Sequence, residues 1–195
     1  MCIEFIYRHI RKLPSTQIFT TREVLIYGAR AAIDIALHRM VKAGFIVRLA
    51  RGVFVRDNSS PPPLEQIVLA KAKAFRRKFA EHPESILREL GISAAKNDLL
   101  FATDGDSSSF DTIHGRVFLK RICPRKISML ETLVGRIVYA IWHLGRGQFD
   151  NSQLQLASHD LKRSEREQLW LLSSVMPNWL TDLCRHRFPR CRLNL

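Results

Sequence analysis

The chain has 195 residues, 46% of them hydrophobic, with a mean hydropathy of −0.08; that suffices for one large or two small globular domains with their own cores. No apolar run reaches the ~18 residues needed to span a bilayer, and "MCIEFIYRHIRK" carries Glu4 and no signal-peptide core, which reads as a cytoplasmic chain without membrane attachment. Thirty-one Lys and Arg against 18 Asp and Glu give a net charge of +13, a balance that favours polyanions, nucleic acid before anionic lipid.

In chain order, Ile3, Phe5, Ile6 and Ile10 predict a first helix over 3–12, stopped before Pro14. Ser15 to Phe19 reads as extended. Thr20 or Thr21 caps a short second helix, "TREVLIYG", with Glu23 at the capping-box position. A third helix runs from about Ala29 to Ala43 and ends at Gly44. "FIVRLA" and "GVFVR" follow as strands around an Ala50-Arg51-Gly52 turn. "RDNSSPPPLEQ" then breaks the pattern, so the domains are expected at 1–56 and 64–195 with a linker over 57–63. Beyond it, "LEQIVLAKAKAFRRKFA" and "ESILRELGI" read as helices. "LLFATDG", "SSFDTI" and "GRVFLKRI" read as strands, and "ISMLETLVGRIVYAIWHLG" as one long buried helix. The remainder reads as helical with a break near Pro177. The fold class is α+β: an N-terminal winged helix-turn-helix followed by a mixed α+β C-terminal domain.

The winged reading rests on element order. Helix, extended piece, helix, turn, helix, strand, basic turn, strand is the order of that architecture, in which one helix enters the major groove and the wing meets the backbone or the minor groove. On the third helix Ile33, Ala36, Leu37 and Met40 fall at the spacing of a buried face. Arg30, His38 and Arg39 remain for DNA, with Asp34 free to pair with Arg30 or His38 or to read a cytosine amine. The hairpin supplies Arg48 and Arg51, with Arg56 after it. The candidate DNA-binding residues are therefore Arg30, His38, Arg39, Arg48 and Arg51.

No catalytic set emerges, and the chain reads as a non-enzyme without a cofactor or a metal site. Cys184, His186 and Cys191 lack a fourth zinc ligand. Asp104, Asp106, Asp111 and Lys120 suit a magnesium-dependent nuclease in type, but Phe118 stands two residues before the lysine, where such sites carry an acid. There is no phosphate-cradling glycine loop and no nucleophile elbow. The tail "CRHRFPRCRLNL" sets Arg185, Arg187, Arg190 and Arg192 around Phe188 and Pro189, as a second basic contact or a solvated end.

The stretch "FTTREVLIYGARAAIDIALHRMVKAGFIVRLARGVFV" resembles the N-terminal winged helix of the AbiEi-type antitoxins of type IV toxin-antitoxin systems, with Arg51-Gly52-Val53-Phe54 matching that family's Arg-Gly-Val/Ile-Tyr wing. "LGI" at Leu90–Ile92, "TDG" at Thr103–Gly105 and "RICPRK" at Arg121–Lys126 are similar to its downstream pattern, so the likeness covers about residues 3–146. The segment between Lys78 and Gly91 is shorter than the family's. The resemblance implies autorepression through double-stranded DNA of the chain's own promoter. It also implies a C-terminal domain that counteracts a nucleotidyltransferase-like toxin without requiring a stable complex. Lys120, Arg121, Arg125 and Lys126, at a strand-to-helix junction fixed by Pro124, form the candidate antitoxin surface. A winged protein-interaction module in phage defence and the nuclease are the alternatives, and the oligomeric state is open.

Overall fold

The computed structural model describes residues 2–56, 60–93, 99–148 and 162–187. In chain order its elements are α1 (Cys2–Lys12), β1 (Phe19–Thr20), α2 (Thr21–Val24), α3 (Arg30–Lys42), β2 (Val47–Ala50), β3 (Val53–Val55), α4 (Leu64–Ala74), β4 (Phe79–Glu81), α5 (Pro83–Glu89), β5 (Leu100–Thr103), β6 (Ser108–Thr112), β7 (Gly115–Arg121), α6 (Pro124–Ile127), α7 (Leu133–Leu144), α8 (Arg163–Leu171) and α9 (Asn178–Arg187). The class is α+β. The chain divides into two compact units, residues 1–79 with 105–119, and residues 80–104 with 120–195.

In the first unit local chemistry sets each boundary. Thr20 caps α2: its backbone N–H and its hydroxyl both donate to Glu23 Oε1, at 2.9 and 2.8 Å, which is the reaching-back half of a capping box. Gly44 ends α3 at a φ of 71°, in the left-handed region that glycine tolerates. Arg56 closes α1 from a distance, donating through Nη1 to the carbonyls of Arg11 and Leu13 at 2.7 and 3.1 Å. It is half-buried and spent on the fold, whereas the sequence suggested a solvated wing arginine.

Ile33, Ala36, Leu37 and Met40 form the buried face of α3, as their spacing predicts. They pack with Ile6, Ile10, Phe19, Val24, Ile46 and Phe54. A second cluster joins Leu49, Ala50, Val53 and Val55 to Ile67 of α4. All three residues of β3 are therefore buried, neighbours in sequence going to opposite faces of the strand. The edges are covered as well. The strand order in this unit is β1-β3-β2-β6-β7, with antiparallel pairs Phe19↔Phe54, Arg48↔Phe54, Ala50↔Thr112 and Asp111↔Arg116. A bulge between Arg48 and Ala50 lets Leu49 and Ala50 both turn inward while Arg48 stays outside.

This packing explains why the units do not follow the expected 1–56 and 64–195 boundary. The proline run at 61–63 is a connector whose Pro62 is buried and accepts at its carbonyl from His114 Nε2 at 2.8 Å. The helix after it covers β2 and β3.

In the second unit the core is built from α5, α7, α8 and α9, with Ile86, Leu87, Val138, Ile141, Leu169 and Leu180 among its buried side chains. The single long helix expected over "ISMLETLVGRIVYAIWHLG" is broken. α6 passes into a 3-10 turn over Ser128–Glu131, Thr132 is extended, and its Oγ1 accepts from the N–H of Gly135 at 3.0 Å to start α7 afresh. Pro83 opens α5, and His82 caps it, its Nδ1 accepting from the N–H of Glu84 at 3.4 Å. His82 is 2% exposed. Burial pushes its pKa down from 6.5 to about 4, with His143 and Lys120 adding to the shift and Glu84 opposing it.

Two stability predictions follow from this unit. A Cβ on Gly135 would overlap the carbonyl of Met129, so Gly135→Ala should destabilise by about 1–3 kcal/mol, seen as an earlier urea midpoint. An unchanged midpoint would mean that the 3-10 turn yields freely. For His82 the folded value lies below the unfolded one. Above pH 6.5 both states are neutral, and between pH 6.5 and about 4 only the unfolded chain takes the proton. Stability should therefore fall with acidification across that window, by up to about 1.4 kcal/mol per pH unit. Urea midpoints from pH 7 to 4.5 should fall less steeply in His82→Asn than in the wild type; parallel slopes would assign the acid sensitivity elsewhere.

Candidate nucleic-acid interface

Three of the five candidate residues meet in the first unit. Arg30 from the first turn of α3 and Arg48 and Arg51 from the β2–β3 hairpin line one groove of about 660 Å³, whose far wall is Ser109 and Asp111 of β6. Arg30 Nε donates to Asp34 Oδ2 at 2.8 Å. This answers what Asp34 does: it pairs with Arg30 rather than with His38. Both side chains are at least half exposed, so the pair is worth little energetically but fixes where the guanidinium points. Arg48 lies over the Phe54 ring, 5.7 Å from its centre. The Nη groups of Arg30 and the guanidinium groups of Arg48 and Arg51 have no acceptor among the described residues.

The hairpin turn that carries Arg51 is fixed in place. Gly52 sits at a φ of 78°, and its carbonyl accepts from the N–H of Thr21 at 3.0 Å. The Arg51 carbonyl accepts from Lys71 Nζ at 2.9 Å. Lys71 also lies over the Phe110 ring at 4.4 Å, and burial, then the charge of Arg51, lowers its pKa. Arg30 and Arg51 line a second cleft of about 160 Å³ with Arg22 and Lys71, and Arg22 lies over the Phe75 ring at 4.3 Å. Sequence reasoning missed Arg22 and Lys71. Arg22 stood in a short helix read only for its cap, and Lys71 lay beyond the supposed linker.

His38 and Arg39 are exposed on α3 but do not line the groove. His38 continues the row of Arg30 and Asp34 at four-residue spacing, whereas Arg39 falls on the opposite flank of the helix. The centre of the exposed face is apolar, with Ala31 exposed and Ile35 53% exposed.

In the second unit Lys120 and Arg121 end β7, Pro124 starts α6, and Arg125 and Lys126 follow in its first turn. Lys120, Arg121 and Arg125 are exposed and Lys126 is half-buried. Arg125 and Lys126 lie over the Trp142 ring at 5.2 and 4.3 Å, and Lys126 also over Tyr139 at 5.9 Å. Burial, with Cys123 nearby, pushes the Tyr139 hydroxyl up to about 12.

Among the described residues no three His, Cys, Asp or Glu side chains are grouped to hold a metal ion. Cys184 is buried, and burial raises its thiol to about 11. The other two members of the partial zinc set, the side chain of His186 and Cys191, lie outside the described residues, as does the tail beyond position 187. Arg185 pairs with Asp182 at 3.5 Å. No helix among the described residues is long and apolar enough to cross a membrane.

No curated protein and no solved structure matches the chain. A family model matches residues 5–169, most of its length. The chain belongs to DUF6088, a family of unknown function.

Proposed function

We propose that the chain is a DNA-binding regulator with an antitoxin role. Its first unit acts as a winged helix: α3 enters the major groove of duplex DNA, and the β2–β3 turn meets the sugar-phosphate backbone. The observation that carries this is the gathering of Arg30, Arg48 and Arg51 around one groove, with their terminal donors unused among the described residues. Arg22 and Lys71 extend the same positive surface around the hairpin turn. On α3, Arg30 and His38 approach base edges, and Ile35 and Ala31 offer methyl-sized contacts of the kind a thymine takes. Arg39 meets phosphate on the outer flank. The sequence resemblance to AbiEi-type antitoxins extends the reading. The bound DNA is then the chain's own promoter, and the second unit counteracts a nucleotidyltransferase-like toxin through Lys120, Arg121, Arg125 and Lys126. No catalytic step is involved.

The DNA half is tested by titrating the full chain with its upstream DNA at several salt concentrations. Three to five phosphates neutralised should give a slope of log K against log salt of about −3 to −4.5. Arg48→Ala and Arg51→Ala should weaken specific and nonspecific duplexes alike, and Arg30→Ala should cost the specific duplex more, by about 1–3 kcal/mol. Arg56→Ala serves as the contrast, lowering thermal stability through the lost α1 cap with little change in DNA affinity per folded molecule. Absence of binding at low salt would sink this half and leave a protein-interaction module.

The antitoxin half is tested by growth rescue on co-expression with a neighbouring nucleotidyltransferase gene. The full chain is the right reagent, because a cut before Leu64 would separate α4 from the core it shares with β2 and β3. Rescue should weaken in Arg125→Ala with Lys126→Ala at equal soluble level and persist in Arg48→Ala with Arg51→Ala. Rescue lost only in the second pair would move the activity to the first unit.

A further inference from the structure

In the second unit two imidazoles meet beside the cations of the β7–α6 junction. His82 is 2% exposed, and its Nδ1 accepts the N–H of Glu84 at 3.4 Å. That bond fixes the tautomer: the proton of the neutral ring is on Nε2. Among the described residues that buried donor has no acceptor. Orphaned buried donors are uncommon in folded proteins and ask for an explanation.

The surroundings supply one. The His143 ring stands nearly perpendicular to that of His82, with centres 5.3 Å apart. Lys120 is close enough to repel a proton from both rings, and Lys126 from His143. Lys126 and Arg125 are held over Trp142. The opposing group is Glu84, whose Oε1 lies 3.9 Å from His143 Nε2. One carboxylate thus stands against two cations, Lys120 and Lys126, the second of them fixed on a ring, close to an imidazole whose buried N–H lacks an acceptor among the described residues.

We propose that His82, His143, Lys120 and Lys126 form a binding site for a phosphate group, with Arg125 at its rim. The Nε2–H of His82 donates one hydrogen bond, and His143 lies alongside it. Lys120 and Lys126 supply the two positive charges that a phosphate dianion requires and a carboxylate does not. Burial keeps His82 neutral at pH 7, so it serves there as a directed donor and not as a charge. The Trp142 face is taken by Arg125 and Lys126, so the site recognises phosphate and not a stacked base. The phosphate is free in solution or is carried by a nucleotide. The site lies in the second unit and does not depend on the DNA-binding reading.

The test is nitrogen-15 NMR of the imidazole rings in the full chain, titrated with inorganic phosphate at constant ionic strength in chloride. Saturable movement of His82 Nε2 is expected. Lys120→Ala with Lys126→Ala should weaken it at least about tenfold, the effect of losing charged hydrogen bonds. Arg146→Ala, another exposed cation of this unit, and Arg48→Ala with Arg51→Ala, which disables the DNA surface, should leave it unchanged. His143→Gln, with the amide spectrum as a check of folding, provides a second variant that should also weaken binding. A nucleoside triphosphate that binds tighter than phosphate and is lost in the same variants identifies the carrier as a nucleotide, and equal affinity identifies the free ion. A His82 Nε2 signal that phosphate does not move, or an affinity unchanged in the folded double variant, overturns the proposal.

Discussion

Everything at the candidate DNA surface depends on the way β2 and β3 are enclosed. Phe54 faces the three helices, Val53 and Val55 face α4, β1 pairs with the outer edge of β3, and β6 pairs with the outer edge of β2. A two-stranded hairpin alone is marginal in water. Covered on both faces and along both edges, this one becomes a fixed support. What remains at its surface is the turn and the arginines on it, and the turn is tied to Thr21 and Lys71 by its own carbonyls. The groove between α3 and the hairpin is therefore set by hydrophobic packing, and Arg30, Arg48 and Arg51 take up positions that the packing gives them.

The same enclosure marks what the sequence could and could not disclose. Element order over residues 3–56, the Thr20–Glu23 cap, the buried face of α3 and the stop at Gly44 are local, written in spacing and in capping residues, and they were legible. The alternation in "FIVRLARGVFV" suggested a half-buried hairpin, because period two speaks of one covered face. Burial of all three β3 residues is a non-local fact, contributed by a helix on the far side of a proline run. Proline and serine are read as linkers because they break elements. They do that equally when the chain turns back to cover what came before, and Pro62 accepting from His114 is such a case. Arg56 was misread for the same reason. Its hydrogen-bond partners, Arg11 and Leu13, lie more than 40 positions away.

In the second unit the types of α5, β5, α7, α8 and α9 were legible, whereas β4 lay at the end of a run read as helical and the interruption at Thr132 left little trace. Propensity favours one helix through "ISMLETLVGRIVYAIWHL", and a capping threonine inside a helical pattern is a weak signal. The break folds the backbone back on itself, and the Met129 carbonyl then stands where a Cβ at position 135 would be, a place that only glycine leaves open. The break also separates the short α6, which presents Arg125 and Lys126, from α7, which presents Trp142 beneath them. A continuous helix would not fold these residues back over that ring. The basic junction was visible as composition; its fixed geometry follows from the break.

A net charge of +13 leaves many cations to place, and the fold holds them in three ways. Arg56 is held by carbonyl oxygens. Arg136 is held between Glu81 and Glu89 and Arg30 by Asp34, so that charge is cancelled where the side chain is fixed. Arg22, Arg48, Lys71, Arg125 and Lys126 lie over aromatic rings. A ring attracts a cation through its quadrupole without neutralising it and leaves the N–H donors largely unspent. The side chain loses freedom while its field stays open to an incoming anion, so part of the ordering cost of binding is already met by the fold. Each of these five lies in one of the two regions proposed above to bind anions, around the β2–β3 turn in the first unit and at the β7–α6 junction in the second. Cations fixed by carboxylates are the weaker attractors for the same reason, which makes Arg30 the most compromised of the groove arginines and Arg48 and Arg51 the ones on which the proposed contact with phosphate chiefly rests.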